Sequence, residues 1–116
     1  MPKRKTSNQT IGQEGERRAA AFLVAKSYQI LVQNKRLAGG EIDILAQDVD
    51  GTLVVVEVKT RSRSDFANPQ DNINFKKIQT LTRLAQAIAS RYPERNVRID
   101  VIEVGEDINH IQNITG

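Results

Sequence analysis

The sequence predicts a single α/β domain, in which helices pack on a central mixed β-sheet. Three observations predict it. A valine-rich run from Leu53 to Lys59 has the β-branched composition of a buried strand. Between Lys76 and about Ser90, the residues Ile78, Leu81, Leu84, Ala85 and Ile88 recur at helical spacing, a stripe that must cover a sheet. The order helix, three strands, helix, strand then calls for a mixed sheet. At 116 residues, 39% of them hydrophobic and 27% charged, the chain is long enough for one core, so one site is sought.

Taken in order, residues 1–9 read as a flexible basic tail carrying Lys3, Arg4 and Lys5, and residues 10–116 as the domain. Thr10 with Gln13 has the form of a capping box, and the run from Ala19 to Leu23 carries a helix to about Lys26. Tyr28 to Asn34 alternates around Ile30 and Val32, and a second strand, Glu41 to Gln47, follows the Gly39-Gly40 break. Asp48 to Gly51 is a turn signal, so this strand and the valine-rich run should form a hairpin. Arg61 to Asn74 is polar, contains Pro69 and lacks a period, and reads as a long mobile loop. Tyr92, Pro93 and Glu94 end the second helix. Val97, Ile99 and Val101, alternating with Arg98, Asp100 and Ile102, form a further strand, and Ile108, Ile111 and Ile114 suggest a short last element.

Composition removes several chemistries. Without cysteine there is no disulfide framework, thiolate metal site or thiol nucleophile. His110 is the sole histidine; near a terminus it reads as a surface residue, which argues against histidine-led catalysis. No apolar segment follows the basic N-terminus and no run is long enough to span a membrane, so a cytoplasmic protein is expected. Lysine and arginine exceed the acids by 17 to 14, compatible with a polyanionic partner without identifying one.

The residues that carry chemistry lie on the predicted hairpin. The two-residue period puts Glu41, Asp43 and Leu45 on one face of the first strand, and Glu57 and Lys59 on one face of the second. A turn at Asp48 to Gly51 folds the thirteen intervening residues back, so that Asp43 and Glu57 lie side by side. Charges that interrupt a strand of Leu53, Val54, Val55, Val56 and Val58 need compensation. One reading is structural: an ion pair of Lys59 with Glu57 or Asp43, or a strand end open to solvent. The other is chemical: Asp43, Glu57 and the backbone carbonyl of Val58 hold a hard divalent cation, Mg2+ or alternatively Mn2+, while Lys59 orients or activates an attacking water.

Gly40-Glu41-Ile42-Asp43 followed by Val56-Glu57-Val58-Lys59-Thr60-Arg61 resembles the split D…ExK motif of restriction-endonuclease-like nucleases. With Gly12-Gln13-Glu14-Gly15-Glu16 upstream, the pattern resembles the YraN family of uncharacterised bacterial proteins, similar in turn to archaeal Holliday-junction resolvases, from about Gly12 to Ile114. The resemblance implies the restriction-endonuclease-like fold and one magnesium site, with Glu16, Asp43, Glu57 and Lys59 as catalytic residues and Glu41 behind them. It implies a metal-dependent endonuclease acting on DNA phosphodiester bonds, with branched or junction DNA as the structure-selective case. A cationic surface from Arg17, Arg18, Arg61, Arg63, Lys76 and Lys77 could hold the phosphate backbone. Aromatic residues make up only 4%, which disfavours a stacking platform for single strands and leaves duplex or branched DNA. Two symmetric cuts would need two copies, so a homodimer is the corresponding hypothesis. The alternatives are a non-catalytic nucleic-acid-binding module and a repair-partner interaction protein on the same fold.

Overall fold

The computed structural model describes residues 7–61 and 74–115. Helix α1 (Ser7–Ala25) is followed by strands β1 (Gln29–Leu37), β2 (Gly40–Gln47) and β3 (Leu53–Thr60), helix α2 (Phe75–Arg91), and strands β4 (Val97–Val104) and β5 (Ile108–Ile111). The five strands form one sheet in sequence order. Neighbouring strands are antiparallel except β3 and β4, which run parallel. A parallel pair needs a crossover, and α2 supplies it.

Successive β3 side chains divide between two cores. Val54 and Val56 pack with Ala19 and Leu23 of α1, whereas Leu53 and Val55 pack with Leu81, Leu84 and Ile88 of α2. The helices therefore cover opposite faces, and β3, buried from both sides, has the near-continuous apolar sequence such a strand requires. The expected hairpin forms: β2 pairs with β3 from Gln47↔Leu53 to Ile44↔Val56. Its turn closes through Gly51 N–H to Asp48 O (3.0 Å), and Gly51 adopts φ +90°, a conformation that glycine enters without steric cost.

Helix α1 begins at Ser7, so Thr10 lies inside the helix rather than at its cap, and positions 7–9 of the expected tail are helical. Residues 1–6 lie outside the described residues, as does 62–73 of the expected mobile loop. At its other end α1 stops on a Schellman motif: Ser27, at φ +72°, donates to Val24 O, and Tyr28 N–H reaches back to Leu23 O. Asn74 caps α2, accepting the Lys77 N–H at 2.9 Å.

The alternation read into β4 holds only in part, because this strand too is buried on both faces. Asp100, expected among the outward positions, is 0% exposed. It accepts from Arg98 Nε (3.0 Å), from Asn113 N–H (2.9 Å) and from His110 Nε2 (2.8 Å). His110 is accordingly a correction: its side chain is 4% exposed, lies edge-on to Phe22 and Tyr28, and accepts from Lys26 Nζ at 3.2 Å. A buried carboxylate needs donors, and β5 delivers the imidazole as one of them.

Candidate functional site

The hairpin ladder ends at Ile44↔Val56, and the next positions outward are Asp43 and Glu57. Asp43 Oδ2 accepts the Val58 N–H at 2.9 Å, linking the two strands just beyond their last pair. Strand β2 also changes face here. Ile44 and Ala46 lie in the α1-side core, but Ile42 lies with Leu45 in the α2-side core. Gly40 likewise approaches α2, where a Cβ would come within 2.9 Å of Thr80 Cγ2. The single face expected for Glu41, Asp43 and Leu45 is thus interrupted at Asp43. The cause is local: pairing with β3 has stopped, and Asn34 of β1, opposite Asp43, sits at φ +54°.

The two carboxyl groups share a hydrogen bond, and burial raises both above their ordinary values. Burial pushes the Glu57 carboxyl up to about 7, and the charge of Asp43 adds to the rise against the opposing pull of Lys77. Asp43 is also raised, again mainly by burial, with the Val58 N–H and Glu57 working the other way. Where Glu57 is protonated, it donates that proton to Asp43. Lys77 Nζ lies 3.2 Å from Glu57 Oε2.

Glu16 enters from α1. Its carboxyl is raised chiefly by burial, is hydrogen-bonded by Asn34, and feels the negative charges of Asp43 and Glu41. Helix α1 comes this close because residue 15 is glycine: a Cβ there would overlap Thr60 Oγ1 at the end of β3. Glu41 is exposed. Lys59 is half-buried, pairs in register with Glu103 of β4, and makes no ion pair among the described residues.

Asp43, Glu57 and Val58 thus meet at one point, with Lys59 two residues along β3. Among the described residues, no three carboxylate or imidazole groups converge closely enough to cage a metal ion. A magnesium-type cation does not need such a cage, since it retains waters and takes one or two carboxylates with substrate phosphates. Two adjacent carboxylates that burial makes costly to ionise together fit such a cation, whose charge would offset that cost.

The expected cationic surface is dispersed. Arg61 is a correction: its side chain is 5% exposed and donates from Nε (3.1 Å) and Nη2 (2.8 Å) to Glu103 Oε2, so it ties β3 to β4. Arg18 donates to Gly105 O at 2.7 Å and anchors α1 to the β4–β5 turn. Exposed Arg17 pairs with Glu14 one turn earlier, its Nε at 3.0 Å. Lys76 is exposed, Lys77 serves the acid pair, and Arg63 lies outside the described residues. Sequence reasoning missed Asn34 altogether and did not foresee the pairing of Lys77 with Glu57. Lys77 follows Asn74 by three residues at a helix start, a capping spacing visible in the sequence, but its partner on β3 is not.

No helix among the described residues is long and apolar enough to cross a membrane. A repair endonuclease from Pyrococcus abyssi superposes with a TM-score of 0.52 at 14% identity, covering 89% of this chain and 40% of that one, so this chain spans less than half of its length. That likeness shows the fold, which is the expected endonuclease-type α/β architecture. A UPF0102 protein of Alkaliphilus oremlandii is 43% identical over 115 residues, covering 91% of this chain and 97% of the relative. One of Thermodesulfovibrio yellowstonii is 40% identical over 108 residues, covering 89% and 93%. Residues 15–104 match the Uncharacterised protein family UPF0102, and with relatives of this identity along nearly the whole chain, the protein belongs to that family, the YraN family its GEID and VEVKTR motifs resemble.

Proposed function

We propose that the protein is a divalent-metal-dependent endonuclease that hydrolyses DNA phosphodiester bonds, with duplex or branched DNA as substrate. The observation that carries this reading is the Asp43–Glu57 pair, half-buried side by side beyond the end of the β2–β3 ladder on an endonuclease-type fold, where burial makes ionising both groups costly. Asp43 and Glu57, with the Val58 carbonyl, would hold Mg2+ or Mn2+, which when bound polarises the phosphate and offsets charge developing on it. Lys59, free of an ion pair among the described residues, orients the attacking water and supports the developing oxyanion. Asn34 fixes the Glu16 carboxylate, which places an acceptor on the α1 side for a proton of that water. Lys77 restrains Glu57 until the cation and substrate arrive.

The ion pair of Lys77 with Glu57, which gives the acid pair a countercharge from within the protein, favours a second reading, a module that binds nucleic acid without cutting it. One experiment separates the two. Purified protein and Glu57→Ala are incubated with end-labelled single-stranded, duplex and four-way-junction DNA, with Mg2+, Mn2+ or chelator. Metal-dependent cleavage by the parent and none by Glu57→Ala is expected. Tight binding by both proteins without cleavage of any substrate would overturn the endonuclease reading in favour of the binding module.

A further inference from the structure

A groove of about 470 Å³ runs along β2 on the face that α2 covers, between β1 and the C-terminal end of that helix. Its floor is apolar, formed by Ile42, Leu45, Leu53 and Ile88. At its rim Leu31 and Tyr92 remain 42% and 41% exposed, large apolar surface that the described fold leaves uncovered. Among the described residues three cations, Lys35, Arg91 and Arg95, line it, and no carboxylate does.

Arg95 is the informative one. Its Nε donates to Gly51 O (2.9 Å), and its Nη2 donates to Gly51 O (2.7 Å) and Gln47 Oε1 (2.7 Å). Every one of those acceptors is neutral. The guanidinium is therefore held in a fixed orientation while, among the described residues, no carboxylate matches its charge and Nη1 keeps its donors, the arrangement that suits a planar anion such as a carboxylate. Beside the groove runs β1, an edge strand among the described residues, whose outer backbone groups can pair with an extended segment.

We propose that this groove docks an extended acidic peptide segment bearing at least one large apolar side chain, donated by a partner protein. Its carboxylates meet Arg91, Arg95 and Lys35, its apolar side chain enters between Leu31 and Tyr92, and its backbone lies along β1. Charge decides against two other occupants. A second copy of this chain placed groove to groove would oppose three cations with three cations, and duplex DNA has nothing to offer a floor of isoleucine and leucine. The surface is independent of the acid pair, since it shares no residue with it.

The test is fluorescence anisotropy with a labelled peptide of four aspartates followed by two leucines and a phenylalanine, on the full chain and on Arg91→Glu and Leu31→Asn. Both substitutions lie on exposed side chains, and melting curves of the variants serve as the check that the fold is retained. Saturable binding is expected, weakened about tenfold by Arg91→Glu and several-fold by Leu31→Asn. A peptide with lysines for aspartates should not bind, and aspartates alone should bind much more weakly. The proposal is overturned if the acidic peptide fails to bind at about 1 mM, an amount that would miss only contacts weaker than ordinary recognition. It is equally overturned if both variants bind like the parent, or if aspartates alone bind as well. Loss of binding to a labelled duplex in Arg91→Glu, with peptide binding intact, would mark a nucleic-acid surface instead. Sedimentation showing a parent dimer that Arg91→Glu dissociates, with peptide binding intact, would mark a contact between copies.

Discussion

Helix α1 holds two glycines one turn apart that meet different surroundings, and this makes the approach of Glu16 to the acid pair measurable. A Cβ on Gly12 would touch nothing within 4 Å, whereas one on Gly15 would overlap Thr60 Oγ1 and stand 3.4 Å from Thr60 Cβ. Replacing glycine by alanine inside a helix stabilises it by about 1 kcal/mol, and both sites share that gain. Overpacking a tight contact costs about 1–3 kcal/mol, and only Gly15→Ala incurs it. Gly12→Ala should therefore raise stability and Gly15→Ala should lower it or leave it unchanged, a separation of about 2 kcal/mol, or on the order of 5–10 °C in Tm. Urea denaturation of both variants gives the difference directly, with equal m-values as the check on two-state behaviour. In a double-mutant cycle, Thr60→Ala should recover most of the loss in the Gly15→Ala background, since it removes the overlapped atom. Equal stability of the two glycine variants, or a cycle with no coupling, would refute the idea that Gly15 sets the distance between α1 and the end of β3.

Three further outcomes follow from the site and its supports. Glu57 titrates near 7 when folded against an ordinary value of 4.5, so the folded state binds the extra proton between those values. Stability is then greatest below pH 4.5 as far as this group is concerned and is lost as pH rises through 7; Glu57→Gln should flatten that slope in a Tm-against-pH series, and added Mg2+ should raise the parent's Tm more at pH 8 than at pH 5.5. Asn74→Ala removes the acceptor that holds the Lys77 N–H and should cost about 1 kcal/mol by denaturant titration, with Asn74→Ser recovering most of it. Asp100→Asn weakens the charge-assisted bonds from Arg98 and His110 inside the core and should destabilise by about 3 kcal/mol; a loss under 0.5 kcal/mol would show that the network contributes little.

The elements were legible where local chemistry determines them. Asp50-Gly51 set the hairpin turn, the valines marked β3, and the stripe from Ile78 to Ile88 located α2. Asp43 and Glu57 were found because an antiparallel register is fixed by its turn. What escaped depends on partners distant in sequence. The burial of Asp100 needs His110 and Asn113 from beyond β4, and that of Arg61 needs Glu103 from the strand beside it. The change of face at Asp43 follows from the end of one ladder and the left-handed Asn34 opposite, neither of which the period of β2 reveals. The start of α1 was misplaced because Ser7 to Gln9 are polar and carry no apolar period.

The sequential strand order also shapes how the chain reaches this structure. Every neighbouring pair but one is joined by a short connection, so β1 to β3 can assemble by local closure within a single stretch of chain. Pairing of β4 with β3 must wait for the whole α2 crossover to close, which makes it the contact with the greatest chain-entropy cost. Local closure predicts that Asp43 and Glu57 come together before α2 brings Lys77 to them. Pulse-labelled hydrogen exchange during refolding should show protection in 44–56 ahead of 97–104, and simultaneous protection of the two segments would refute that order.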